Sequence, residues 1–257
     1  INRSFGNMSL TCYIWKDWNI LYRVGYDQYS DYNYYSQNKG GTVGGSDFTL
    51  GLHRTVNGFN TIWDHSIITN YQTDLGKDFR LNVDAGVNSQ DRRYEQNGQR
   101  STQQLVYGLF DHDNFIIHDN FTEGGGRIDF KQRSLSLGAF AQGLLSYKEY
   151  LYLTVGGRNS WSSNLEKANR SLFYPSTSLS FIPTSALKSL QNNKMVNYLK
   201  LRAGYSTSAN FGSPYATRNT LAINTNVFLD RLGTTLNSNS IGNFLANPNL
   251  KPELQAE

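Results

Sequence analysis

The sequence predicts an all-β protein, and within that class an antiparallel transmembrane β-barrel segment. Three observations lead there. The first is a strict alternation, clearest in FRLNVDAGV, where Phe79, Leu81, Val83, Ala85 and Val87 share one face and Arg80, Asn82, Asp84 and Gly86 share the other. A strand points successive side chains to opposite faces, so one apolar and one polar face result. The second is length: the segments approach the ~9–11 residues a tilted strand needs to span a bilayer, against about 5–6 for ordinary soluble strands. The third is that tight turns alternate with long connections, as the two ends of an outer-membrane barrel require. Alternation alone would also fit a one-sided soluble sheet, so strand length and loop asymmetry decide.

Taken in order, a first strand is predicted over Phe5–Ile14, with Met8, Leu10, Cys12 and Ile14 on one face, and Lys16-Asp17 turns it. The second, Trp18–Tyr26, sets Trp18, Ile20, Tyr22, Val24 and Tyr26 against Asn19, Arg23, Gly25 and Asp27, with Leu21 out of phase. A long Tyr- and Gly-rich loop follows, through YSDYNYYSQNKGGTVGG. The third strand, near Thr61–Gln72, alternates poorly, and Asp74–Lys77 (DLGK) has Asp and Gly where a turn wants them. The fourth is Phe79–Val87, and a polar loop is expected from QDRRYEQNGQR as far as Gly126. The fifth, Ser134–Leu145, keeps Leu135, Leu137, Ala139, Ala141 and Leu145 in phase and turns at Tyr147-Lys148-Glu149. The sixth, Tyr150–Arg158, is followed by the loop SWSSNLEKANRS, and the seventh is Phe173–Ile182. TSALKSLQNNKMVN is the one longer connection on the short-turn side and is predicted to hold a helical turn. The eighth strand is Tyr198–Ser206, and an Asn-, Ser- and Thr-rich stretch leads to the start of a ninth. Trp15, Trp18, Tyr147 and Tyr150 flank the tight turns, where an interfacial aromatic girdle would sit.

Composition agrees. Of the 257 residues 38% are hydrophobic but 14% aromatic, with 23 Gly and only 5 Pro, a balance that suits strands. The mean hydropathy of −0.53 argues against helical membrane proteins only, because a barrel strand gives half its residues to water. No run approaches the ~20 apolar residues of a spanning helix. Cys12 is the only cysteine, which excludes an internal disulfide framework and a Cys-rich metal site. The net charge of +4 is dispersed, without the basic run of a nucleic-acid groove. The chain opens at Ile1, without Met or signal peptide, as a processed or partial chain would.

Few residues invite chemistry. DHDNFIIHD, Asp111–Asp119, groups His112 and His118 with three Asp, donors suited to a divalent cation, but the spacing matches no standard site and a polar loop explains it as well. GGTVGG and GGGR lack the Lys-Ser/Thr of a phosphate loop, and hydrolase and metalloprotease signatures are missing. The sequence predicts neither an enzyme nor a cofactor. On the polar face, Arg23, Asp27, Arg80, Asp84, Arg158, Lys200 and Arg202 are expected to point into a lumen, because charge facing lipid costs ~2–4 kcal/mol near the midplane. They would meet a hydrated substrate or a plug there, or form ion pairs along the wall. Recognition is expected on the external loops, with Tyr29, Tyr32, Tyr34, Tyr35 and Trp161 offering flat aromatic faces to a ligand or partner, or packing the loops together.

Several stretches carry a family resemblance. Tyr147–Phe181 reads YKEYLYLTVGGRNSWSSNLEKANRSLFYPSTSLSF, and resembles the SusC/RagA family of TonB-linked outer-membrane transporters, in which Y-K-x-Y-L-Y-L, R-N-D-W-S-S and F-Y-P-S-x-S recur in this order. Ser160 stands where that family often has Asp. WNILYRVGYDQYSDY, LKLRAGYS at Leu199–Ser206 and NPNLKPE at Asn247–Glu253 fit in the same order. The resemblance implies a plugged barrel of the ~22-stranded class. This chain would then be one internal barrel domain over residues 1–257, without the plug, the TonB-contacting segment or the C-terminal closing strand. It also implies an outer-membrane location, import of oligosaccharides or peptides, a SusD-like surface lipoprotein as partner, and energy delivered through TonB. Two alternatives stay open: a siderophore-type receptor or other outer-membrane channel, and a soluble β-sandwich carbohydrate-binding module that buries Leu81, Val83, Leu151, Leu153, Leu199 and Leu201 between two sheets.

Overall fold

The computed structural model describes residues 1–40, 49–123, 126–187, 196–241 and 245–257, with the backbone alone for 222–229 and 235–241. The strands are β1 (Asn2–Trp15), β2 (Trp18–Gln37), β3 (Leu52–Leu75), β4 (Phe79–Gln104), β5 (Phe115–Asp119), β6 (Phe130–Tyr147), β7 (Leu151–Ser162), β8 (Ser171–Phe181), β9 (Leu201–Asn210), β10 (Leu221–Leu229), β11 (Thr235–Ile241) and β12 (Glu253–Ala256). They form one sheet in the order β1-β2-β3-β4-β6-β7-β8-β9-β12, with β5 added to β4, and β10-β11 a separate hairpin. The pairs β4–β5, β6–β7, β7–β8, β8–β9 and β9–β12 are antiparallel. A single sheet is what the barrel reading requires, and the two-sheet sandwich is not what forms.

The eight predicted strands and the start of a ninth are all present, the last as β12. Three predicted loops are corrected. Tyr29, Tyr32, Tyr34 and Tyr35 lie in β2, which runs on to Gln37. QDRRYEQNGQR lies in β4, which reaches Gln104, and the expected loop beyond it returns through a 3-10 turn at His112–Asn114 to pair as β5. The Asn-rich stretch before β12 contains the β10-β11 hairpin. The reason is common to all three. Ladder hydrogen bonds are made by the backbone and do not depend on side-chain polarity, so a strand with water on both faces shows no alternation. β2, β3 and β4 reach 20, 24 and 26 residues, well beyond a bilayer. The predicted helical turn is α1 (Pro183–Ala186), and the rest of that connection, 188–195, lies outside the described residues, as do most of GGTVGG and the first two glycines of GGGR.

The register makes the faces explicit. Phe140 pairs with Arg158 and Arg158 with Tyr174, while Leu137 pairs with Trp161 and Leu153 with both Leu145 and Leu179. One face of β6–β9 is therefore Arg-, Ser- and Thr-rich, and the other carries Leu, Val and Phe. Val155 is 55% exposed, Phe173 62% and Leu201 54%, so the apolar face is uncovered among the described residues. At the short-turn ends the girdle aromatics meet: Trp15 and Trp18 rings lie 5.4 Å apart, and Phe79, Tyr147, Tyr150 and Phe181 form a row with centroids 4.7, 5.4 and 6.2 Å apart. The β6–β7 turn places Lys148 and Glu149 at φ 46° and 60°, and Gly76 takes φ 80° in the DLGK turn.

The chain divides into two compact units. Residues 1–8, 24–64 and 91–133 form one, in which Leu52 and Ile128 are fully buried and Phe115 nearly so. Residues 9–23, 65–90 and 134–257 form the other, which carries the two-faced sheet of β6–β9.

Candidate functional site

The polar face of β4 and β6–β9 is the first candidate site. Arg158 lies across it, donating from Nη2 to Asn88 Oδ1 at 2.7 Å and from Nε to Ser160 Oγ at 2.9 Å and Tyr174 Oη at 3.1 Å. It can lie there because position 138 is glycine: a Cβ would collide with the guanidinium. Gly86 likewise leaves room for the Phe140 ring, whose tip would stand 2.8 Å from an added Cβ. Beside them Asn70 Nδ2 donates to Asp84 Oδ1 at 2.6 Å. The face is thus a hydrogen-bonded polar surface of donors and acceptors, suited to a hydrated solute and, among the described residues, without a nucleophile–base pair.

The predicted polar residues fall as follows. Asp84 accepts from Asn70, and Arg158 donates to Asn88. Arg202 pairs with Ser180 in register and so joins the same face. Lys200 precedes β9, with Nζ 5.8 Å from the centre of the Tyr152 ring. Two make ion pairs instead: Arg80 Nε donates to Asp74 at 2.9 Å across the DLGK turn, and Asp27 accepts from Arg3 at 2.9 and 2.7 Å. Arg23 is exposed on β2.

The aromatic candidates do not form one patch. Tyr32 and Tyr34, with rings 6.2 Å apart, point to one side of β2, and period two sends Tyr29 and Tyr35 to the other, where Arg54 stands 5.9 Å from the Tyr35 ring. Tyr34 is 71% exposed. Trp161, expected on a loop, lies in β7 on the apolar face opposite Leu137.

Three of the four histidines, His53, His112 and His118, come together where spacing gave only a hint. Ser101, fully buried on β4, has its Oγ 2.7 Å from His112 Nδ1 and 2.8 Å from His118 Nδ1. His112 Nε2 lies 2.9 Å from Thr55 Oγ1, and its ring is 4.5 Å from that of His53, which hydrogen-bonds Ser36 Oγ at 2.8 Å. A hydroxyl has one proton, so Ser101 can donate to at most one imidazole and accepts an N–H from at least one. Burial pushes His53 and His112 below the ordinary imidazole value, and for His112 the neighbouring His53 and His118 push the same way. Among the described residues no group of three or more His, Cys, Asp or Glu is disposed to hold a metal. β5 is also clamped by Arg100, whose Nε and Nη2 reach the Asp119 carboxylate at 3.0 and 2.6 Å. Burial raises the Asp119 carboxyl, but the Arg100 and Phe121 N–H bonds outweigh it and hold it below the usual range. Ser101, Thr55 and Asn88 escape sequence reading because their partners are contributed by other strands, and a lone Ser, Thr or Asn carries no signal.

The comparisons agree with this geometry. Residues 4–254 match the family described as TonB dependent receptor-like, beta-barrel. The chain belongs to that family, which is one of receptor barrels and not of enzymes. No curated protein matches the sequence. Among solved structures, the chain is similar to one described as the RagAB peptide transporter, at 17% identity and a TM-score of 0.75, covering 99% of this chain and 28% of that one. It is also similar to the RagAB peptide importer in the "closed-closed" and "open-open" states, at TM-scores of 0.74 and 0.71 with 17% and 16% identity, covering 99% of this chain in both cases and 28% and 27% of those chains. At such identity the likeness shows the fold, and this chain spans little more than a quarter of the length of the chains it matches.

Proposed function

We propose that this chain is part of the wall of a SusC/RagA-type, TonB-dependent importer in the bacterial outer membrane, carrying oligosaccharides or peptides with a SusD-like surface lipoprotein as partner. The observation that carries the reading is the pairing of an uncovered apolar face, bounded by an aromatic row at the tight turns, with a hydrogen-bonded polar face opposite it. In a plugged barrel the first face meets lipid and the second, with Asp84, Arg158 and Arg202, lines the lumen. The long ends of β2, β3 and β4, with Tyr29, Tyr32, Tyr34 and Tyr35, stand outside, where ligand and lipoprotein approach. The plug, the TonB-contacting segment and the closing strand belong to other parts of the polypeptide. The structurally similar chains are of a peptide transporter, so peptides are the first cargo to test.

The experiment is an uptake assay. Cells with and without the intact gene are given labelled oligopeptides and labelled oligosaccharides, and the tagged protein is purified from the outer membrane. Loss of uptake of one class on deletion, and co-purification of a surface lipoprotein, are expected. Unchanged uptake of both classes would overturn the reading.

A further inference from the structure

Within the second unit, the polar face of β7, β8 and β9 holds a hollow of about 280 Å³ near the tight turns. The register builds it. Tyr152 pairs with Ser180 and Ser180 with Arg202, while Thr154 pairs with Ser178, and residues directly opposite one another share a face. Lys200, two positions before Arg202, lies on the same side, with Nζ 5.8 Å from the centre of the Tyr152 ring. The Tyr152 hydroxyl donates to the Glu149 carbonyl at 2.7 Å, which fixes the ring that faces the ammonium. These six residues all line the hollow.

Charge says what fills it. Two cations stand together, and the lining holds no carboxylate. β6, β7, β8 and β9 contain no Asp or Glu at all. The carboxylates of the neighbouring turns have cations of their own: Asp74 accepts from Arg80 at 2.9 Å, and Asp78 lies 3.7 Å from Lys148 Nζ. Glu257, whose backbone pairs with Ser206, is four residues, or about 13 Å of strand, from Arg202. Among the described residues neither Lys200 nor Arg202 is in an ion pair. Ser180 Oγ, on the residue between Tyr152 and Arg202 in the ladder, is buried with no hydrogen-bond partner among the described residues. Two adjacent cations repel one another until an anion joins them.

We propose that this hollow binds a carboxylate of the cargo, and that the cargo is a peptide, acidic peptides before neutral ones. The proposal rests on the importer reading above, in which this face lines the lumen, and it chooses between the two cargo classes left open there. Arg202 offers a planar fork of N–H donors and Lys200 a point charge, a pair that complements a carboxylate. The Ser180 hydroxyl supplies one more donor. Every unmodified peptide carries a terminal carboxylate, and Asp and Glu side chains add others. A neutral oligosaccharide carries none and gains nothing from the two charges, and a basic peptide is repelled by them.

The test uses the intact protein, purified from the outer membrane in mild detergent with any lipoprotein that accompanies it. Binding of a short fluorescent Glu-rich peptide, and of the same peptide with every carboxylate amidated, is followed by anisotropy. Each variant is first shown to be folded by its heat-dependent gel mobility. Wild type is expected to bind the acidic peptide about tenfold more tightly than the amidated one. Lys200→Gln with Arg202→Gln should remove that preference, and the charge-keeping exchange Lys200→Arg with Arg202→Lys should keep most of it. Equal binding of the two peptides by wild type, or an undiminished preference in the Gln double variant, overturns the site, and the importer reading stands if gene deletion still abolishes uptake. A Gln double variant that unfolds more easily yet keeps the preference assigns the two cations to a structural neighbour and overturns the site as well. Unchanged uptake of peptides and oligosaccharides on deletion removes the importer reading and this site together.

Discussion

Ser101 joins two imidazoles through one hydroxyl, and the strength of that junction depends on pH. The folded values of His53 and His112 lie below the ordinary value near 6.5, so folding favours their neutral forms. The stability they lend is full above about pH 6.5 and is lost as pH falls through the folded values. Amide exchange in β5 is expected to accelerate between pH 7.5 and 5 after correction for intrinsic rates, with the effect weakened in His112→Gln; pH-independent protection would refute this. At Arg158 the decisive neighbour is a missing atom. Gly138→Val would displace the guanidinium from Asn88 and Tyr174. A cost of about 1–3 kcal/mol is expected from such overpacking. In Gly138→Val with Arg158→Ala the two costs should sum to less than their separate values, because the valine then has nothing to displace. Strict additivity in urea-driven unfolding from vesicles would argue against the contact.

At the scale of the strand, polarity and position separate cleanly. Val155 pairs with Gly143 and Thr177 on the apolar face, about midway between the tight-turn row and Trp161, and Thr154 points the other way. Val155→Arg is expected to destabilise the protein in bilayers by ~2–4 kcal/mol, while Thr154→Arg costs far less. Equal effects of the two would mean that the apolar face does not meet lipid. The halves of β2, β3 and β4 away from the tight turns behave differently from the halves near them. Period two survives in contacts between residues two apart, such as Tyr35 with Gln37 and Tyr94 with Gln96, but hydropathy no longer tracks it. The strand segments nearest the tight turns are therefore legible from sequence to within a few residues, whereas their distal continuations carry no alternation to mark them as strand.

For the whole molecule the two outermost strands of the sheet matter most. β1 and β12 end the order β1-β2-β3-β4-β6-β7-β8-β9-β12, so each offers an unpaired edge among the described residues. On the barrel reading, an open edge in hydrocarbon would leave backbone N–H and C=O groups unsatisfied at several kcal/mol each, so further strands are expected to pair with both. Expressed by itself, residues 1–257 should fail to give a folded, heat-modifiable membrane species, whereas the intact polypeptide should give one. A stable closed barrel from this segment alone would contradict the wall reading. The family match over 4–254 and the fraction of the similar chains covered are both consistent with that expectation.

The sequence alone determined the class, the order of the eight main strands, the faces of all but the poorly alternating third, the tight turns and their aromatic row. Each of these is set by local periodicity or turn chemistry, which a linear reading captures. Only the tertiary structure decided the rest. It split the β2 tyrosines between two faces and moved Trp161 from a loop to the apolar face. It also gathered His53, His112 and His118 around Ser101 and laid Arg158 over Gly138. Those arrangements depend on which residues the register brings opposite one another across strands distant in sequence, and register is fixed by backbone pairing, which no single segment encodes.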